Sequence, residues 1–107
     1  MAKLRRYELV YDPEVWNHIF KIDKKYHSLI RREIEKQLSH QPKLETRNRK
    51  PLSRPSTFGS AWELRFGPKN CFRVFYRTDP EFLKVYILAV GVKIKERLYV
   101  GGKEFDL

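Results

Sequence analysis

Three consecutive strand-like segments, separated by tight turns, are the strongest constraint that the sequence places on the fold. Segments 62–66 and 71–78 alternate apolar and polar residues, and segment 82–90 is almost continuously apolar. The intervening GPKN and TDPE segments are rich in residues that favour turns. This pattern predicts an antiparallel meander whose third strand is central and is interrupted by Gly91.

A helical region precedes the meander. Apolar residues recur at three- and four-residue spacing from Val15 to Leu38, as on one face of a helix. Asp12-Pro13 predicts the helix start, and the break at 23–28 predicts two helices that form a hairpin. Alternation over residues 3–11 predicts a first strand at a sheet edge.

The remaining segments predict little regular structure. Residues 42–60 contain three prolines and predict a long basic loop, and the residues after Gly91 predict a short turn or helix followed by a tail. The sequence therefore predicts a single α+β domain, with a helical hairpin on one face of an antiparallel sheet and the other face open. Alternation places Trp62 and Leu64 under the helices, and Glu63 and Arg65 on the open face.

Positive charge is concentrated in one third of the chain. The net charge is +10, and segment 42–77 holds nine Lys and Arg residues against two Glu residues, an excess of +7. Arg65, Arg73 and Arg77 fall on the predicted open face, where their planar guanidiniums suit phosphate groups. This pattern predicts RNA binding, with Phe75 stacking on bases. An ordinary solvated face, with Glu63 as the cross-strand partner of the arginines, is the alternative.

Other functional classes have weaker support. Cys71 is the single cysteine, which excludes an intramolecular disulfide, and no cluster of Asp, Glu and His predicts a metal or cofactor site. His18, His27 and His40 are predicted on helix surfaces. The absence of a long apolar run predicts a cytoplasmic protein with no membrane association.

Several motifs resemble those of the RelE/ParE superfamily, the toxins of bacterial type II toxin–antitoxin systems. These motifs are NRKPL, then WELR, FRVFYR, the VG that ends the apolar strand, and a C-terminal LY. The resemblance covers nearly the whole chain and implies that residues 1–107 form one RelE-like toxin domain.

The resemblance also implies functional residues. Arg65, Arg73, Lys93 and Tyr99 match catalytic positions of the nuclease branch, with Tyr99 as the candidate base, whereas Glu63 departs from a lysine of some members. The residues expected to contact RNA are Arg47, Arg49, Lys50, Glu63, Phe75, Arg77, Lys95 and Arg97.

The implied activity is that of a metal-independent endoribonuclease, which cleaves mRNA, usually on the ribosome, and so inhibits translation. The implied partners are mRNA, the ribosome and an acidic antitoxin. Two alternatives remain open: a ParE-like inhibitor of DNA gyrase without nuclease activity, and a degenerate relative that binds RNA without cleaving it.

Overall fold

A computed structural model describes residues 5–105 of the chain. The elements in chain order are β1 (Glu8–Tyr11), α1 (Glu14–Phe20), a 3₁₀ turn (Lys24–Tyr26), α2 (His27–Leu38), β2 (Arg49–Pro51), β3 (Trp62–Phe66), a second 3₁₀ turn (Pro68–Asn70), β4 (Phe72–Asp79), β5 (Lys84–Ile94), β6 (Arg97–Val100) and β7 (Lys103–Phe105). All seven strands belong to one sheet, in which β2 to β7 follow one another antiparallel. The predicted meander of three strands is confirmed as the centre of this sheet.

The two predicted helices are present, and an aspartate side chain stabilises the chain just before α1 and at the 3₁₀ turn that leads into α2. Asp12 Oδ1 accepts the backbone N–H of Glu14 at 2.9 Å, at the start of α1. Asp23 Oδ1 accepts the N–H of Lys25 at 3.1 Å, which starts the 3₁₀ turn between the helices. Within residues 5–105, no helix has the length and apolar character needed to cross a membrane.

The helices cover one face of the sheet, and this contact forms the main core. Val15 of α1 and the stripe of Ile30, Ile34 and Leu38 on α2 are fully buried against β3, β4 and β5. Full burial of each such side chain contributes about 1.5–3 kcal/mol. The sheet side of this core consists of Leu64, Phe66, Phe72, Val74, Tyr76, Val85, Ile87 and Val90, and its members on β3 and β4 follow the predicted alternation.

β5 is the central strand, but Gly91 does not interrupt it. The strand continues through Gly91 to Ile94, so this prediction is wrong. A Cβ on Gly91 would lie 2.8 Å from the carbonyl oxygen of Tyr99, so glycine allows β6 to approach closely at this point.

One edge of β5 is shared by two strands. β1 pairs in parallel with Lys84–Ile87, and β6 pairs antiparallel with Gly91–Ile94. β1 therefore lies at an edge, as predicted, although it begins at Glu8 and predicted positions 3 and 4 lie outside the described residues.

The segment after Gly91 and the second face of the sheet both differ from the prediction. Residues 97–105 form strands β6 and β7 rather than the predicted short turn or helix followed by a tail. Gly101 and Gly102 adopt positive φ values of 61° and 82°, which permit the tight turn between these strands. A second core on this face consists of Phe75, Ala89, Leu98 and Val100, and Leu52, Phe58 and Phe105 pack against it. The face predicted to be open is therefore partly covered.

Most of the covering comes from the predicted basic loop. Within it, β2 pairs with β3, so part of segment 42–60 is regular structure. Residues 52–60, which follow β2, are held beside β3 by a hydrogen bond from Leu52 N–H to the Ala61 carbonyl at 2.9 Å. Residues 52–60 are called the basic loop below.

Candidate functional site

A cleft of about 490 Å³ lies between the basic loop and the sheet face that is opposite the helices. Within the described range, 5–105, four cations and one carboxylate line it, and their formal charge sums to +3. These charged residues are Arg54, Arg65, Arg73, Lys93 and Glu63. Three strands and the basic loop thus bring predicted site residues together in a concave, cationic site, the geometry in which ligands are commonly bound.

The base of the cleft is a three-residue ionic cluster. Arg65 and Arg73 lie directly opposite each other in β3 and β4, and like charges in that position destabilise a sheet. Glu63 compensates because it shares their face: its Oε1 is 2.5 Å from Arg65 Nε and 3.3 Å from Arg73 Nε. The carboxylate therefore holds both guanidiniums in one place. The predicted role of Glu63 as the ion-pair partner of the arginines is confirmed.

Arg73 is the most enclosed cation of the cleft, with a side chain only 9% exposed. Burial lowers the pKa of its guanidinium, and the carboxylate of Glu63 acts in the opposite direction. Its Nη1 also donates to the carbonyl oxygen of Asn70, in a turn where Lys69 and Asn70 both have a φ of 53°. The left-handed turn and Glu63 together fix the orientation of this guanidinium.

Lys93 and Arg54 also line the cleft. Lys93 extends from β5 with a side chain 25% exposed, and its Nζ is 3.5 Å from Glu96. Arg54 is an exposed residue of the basic loop and was not among the predicted site residues. Ser53, Ser56 and Thr57 of the same loop also line the cleft, and sequence reasoning missed them as well.

Phe58 anchors the basic loop over the second core. Its ring centroid is 5.7 Å from that of Phe75 and 5.0 Å from that of Phe105, and His18 approaches it edge-on at 6.4 Å. A hydrogen bond between the side chains of Ser56 and Ser60, with an Oγ–Oγ distance of 2.6 Å, also stabilises the basic loop. The wall of the cleft is therefore an ordered loop held by aromatic packing.

No protein-family model and no curated protein matches this sequence. Among solved structures, a chain of the toxin–antitoxin complex RelBE2 from Mycobacterium tuberculosis is similar, with a TM-score of 0.68 and 24% identity. The match covers 87% of this chain and 98% of that chain. The two chains share one fold. The predicted RelE-like α+β fold is thereby confirmed.

Within this RelE-like fold, two residues predicted to contact RNA are buried. Phe75 is 2% exposed and lies beneath Phe58, so the prediction that it stacks on a base is wrong. Arg49 is 9% exposed, and it donates hydrogen bonds to the carbonyls of Gln37 and Leu44. It ties the end of α2 to the next segment, so the prediction that it contacts RNA is also wrong.

Tyr99 lies on the opposite face of the sheet from Arg73. It is paired with Val92, which packs on the helix-side core, and it lines a separate cavity of about 200 Å³ with His18 and Lys21. This position contradicts the expectation, implied by the resemblance, that Tyr99 is the general base. The strand period of two explains the difference, because Leu98 and Val100 point towards the second core and Tyr99 between them points away.

The other predicted RNA contacts lie outside the cleft. Lys50 pairs with Glu45 at 3.5 Å, and Arg97 pairs with Glu104 at 3.3 Å. Arg47 is exposed before β2, Lys95 lies in the β5–β6 turn, and Arg77 stacks on Tyr86 further along the sheet.

His18 was predicted on a helix surface, but it is buried, with 9% exposure. Its Nδ1 accepts the backbone N–H of Val90 at 3.3 Å, in the stretch of β5 that lies between the segments paired with β1 and β6. Burial lowers the pKa of this imidazole, partly offset by Glu14 and Asp12. The neutral ring therefore accepts a backbone N–H of β5 at a position where neither β1 nor β6 pairs with this strand.

Proposed function

We propose that the protein is the toxin of a type II toxin–antitoxin pair and that it cleaves mRNA without a metal ion. The observation that carries this proposal is the convergence of Arg65, Arg73 and Lys93 around Glu63 in a cleft that Arg54 borders. The fold shared with a chain of RelBE2 supports it, since that structure is a toxin–antitoxin complex.

Phosphate binding is the first task of the cleft. An RNA phosphate meets a net positive charge and several guanidinium N–H groups, which form paired, charge-assisted hydrogen bonds with phosphate oxygens. Arg73 is held by Glu63 and Asn70 before RNA arrives, so little reorganisation is needed to bind.

Cleavage follows when the 2′-oxygen of the RNA attacks the adjacent phosphorus. The 2′-hydroxyl proton passes to Glu63, the one carboxylate of residues 5–105 that lines the cleft, as the new oxygen–phosphorus bond forms. Arg65 and Arg73 stabilise the negative charge that develops on the non-bridging oxygens of the five-coordinate phosphorus. The bond to the 5′-oxygen breaks as Lys93 supplies a proton to it, which leaves a 2′,3′-cyclic phosphate and a 5′-hydroxyl end.

The arginines contribute most of the rate in this scheme. Pre-oriented donors aimed at developing negative charge are each worth roughly 10²–10³ in rate in comparable sites. Arg73 fits this description because it is enclosed, ion-paired and fixed by a turn carbonyl.

A second candidate function is RNA binding without cleavage. Two observations favour it: Glu63 Oε1 is already engaged by two guanidiniums, and Tyr99 lies on the other face of the sheet. In that case the cationic cleft binds RNA, but no group in it accepts the proton of the 2′-hydroxyl.

The partners in this proposal are mRNA, the translating ribosome and an acidic antitoxin. Because the protein has a net charge of +10, electrostatic complementarity favours a partner with an acidic segment, which competes with RNA for the Lys and Arg side chains of the protein.

A cell-free translation extract tests the proposal against its alternatives. Wild-type protein added to the extract should cut the translated mRNA and stop peptide synthesis, whereas Arg73→Ala should do neither. Arg31→Ala, a change of an exposed arginine on α2, is the matched control and should behave as wild type. Binding of RNA without cutting supports the second candidate, and inhibition of purified gyrase with intact mRNA would reject both.

A further inference from the structure

Arg77 and Tyr86 form a stacked pair outside the cleft. They lie directly opposite each other in the β4–β5 register, and the guanidinium carbon of Arg77 is 4.3 Å from the centroid of the Tyr86 ring. Arg77 is exposed and Tyr86 is half-buried. The ring therefore supports one face of the guanidinium and leaves the other towards solvent.

The exposed guanidinium keeps its hydrogen-bonding capacity. No ion pair or side-chain hydrogen bond joins Arg77 to another of residues 5–105. The nearest acid on the same strand, Asp79, accepts the N–H of Phe82 at 3.2 Å instead. A flat cation of this kind, supported from below, is a surface on which an unpaired base stacks.

The pair lies on the same side of the sheet as the cleft. Arg73, Phe75 and Arg77 alternate along β4 on one face, so Arg77 lies about 13 Å along the strand from Arg73 at ~3.3 Å per residue. Phe58 covers Phe75 between them. RNA with a phosphate at Arg73 reaches Arg77 within a few nucleotides after crossing Phe58.

We propose that Arg77, supported by Tyr86, is a stacking site for an unpaired base that flanks the RNA phosphate bound in the cleft. This inference rests on the proposed function, and it assigns to that function a second contact with the substrate. The stacking of one base on such a surface changes the dissociation constant by about 5- to 150-fold. Because every base has a flat face, the contact tolerates any sequence.

Binding of a 2′-O-methyl RNA hexamer, which cannot be cleaved through its 2′-oxygen, tests the inference with the full chain. Arg77→Lys retains the charge and removes the flat guanidinium, so its dissociation constant should rise at least fivefold with an unchanged salt dependence. Tyr86→Leu should have a similar effect. Arg31→Lys is the matched control and should bind as wild type, since Arg31 is an exposed arginine on α2.

Hexamers that lack one base, tested at each position in turn, separate stacking from a structural effect. Wild type should lose affinity for the hexamer lacking the stacked base by the same factor as Arg77→Lys loses with intact RNA. Arg77→Lys should show no further loss with that hexamer. If Tyr86→Leu unfolds, Arg77→Lys still tests the stacking site, because Arg77 is exposed and its replacement should leave the protein folded.

The failures of the two proposals are distinguishable. If Arg73→Ala loses binding while Arg77→Lys binds as wild type, the stacking site is wrong and the proposed function stands. If wild-type protein does not bind the hexamer, the stacking site is wrong, and the cleavage test in the translation extract decides the proposed function separately.

Discussion

Glu63 Oε1 lies 3.3 Å from Arg73 Nε, and both side chains are more than nine-tenths buried. The same oxygen also contacts Arg65, so one carboxylate bridges two arginines that face each other across β3 and β4. Removal of the carboxylate leaves a buried guanidinium without its partner, which is costly.

Glu63→Gln should therefore separate stability, binding and cleavage. The free energy of unfolding should fall by about 2–3 kcal/mol, less than for a fully enclosed pair because the cleft admits water. RNA binding should be retained or strengthened, since the cleft becomes more positive, and cleavage should fall by at least 100-fold. Denaturant unfolding, RNA titration and a cleavage assay measure the three effects. Cleavage at the wild-type rate would show that Glu63 does not accept the proton.

Tyr99→Phe should leave RNA cleavage within about twofold of wild type. Its side chain is on the helix side of the sheet, in the cavity with His18 and Lys21, and so cannot reach a phosphate at Arg73. Single-turnover cleavage rates for Tyr99→Phe and Arg73→Ala give the comparison. A loss with Tyr99→Phe as large as the loss with Arg73→Ala would contradict this placement.

Arg49→Met should destabilise the protein without removing a substrate contact. The change removes hydrogen bonds to the carbonyls of Gln37 and Leu44, which should lower the free energy of unfolding by about 2 kcal/mol. Arg47→Met, which alters an exposed arginine of the same segment, is the control for stability. Equal unfolding midpoints for the two variants would contradict the structural role of Arg49.

Protonation of His18 should make stability depend on pH. Burial lowers the pKa of His18 in the folded state below its unfolded value of about 6.5, so the unfolded chain binds the proton more tightly. This contribution is present above about pH 7 and is lost as the pH falls through 6.5 towards the folded value. His18→Asn keeps an acceptor for the Val90 N–H and should flatten this part of the profile. If the free energy of unfolding changes equally with pH in wild type and in His18→Asn, His18 does not cause the pH dependence.

Alternation along the strands made much of the fold predictable. It placed Leu64 and Val74 under the helices and Glu63, Arg65 and Arg73 together on the other face, as the structure has them. These relationships are local, because each follows from a strand period of two and a short turn.

Contacts that depend on the path of the chain were not predictable. The covering of Phe75 by Phe58, and the tie from Arg49 to the end of α2, join segments whose mutual position depends on the long loop. The position of Tyr99 was not predictable for a related reason: the segment after Gly91 was not predicted as a strand, so the side of the sheet on which its residues lie was undefined.

Mapping of mRNA 5′ ends after induced expression in a bacterial host, with wild type beside Arg73→Ala, tests the central claim most directly. The account predicts growth arrest with new, codon-phased 5′ ends inside translated regions, all lost with a folded Arg73→Ala protein. Growth arrest with intact mRNA, or identical cuts in the variant, would contradict it.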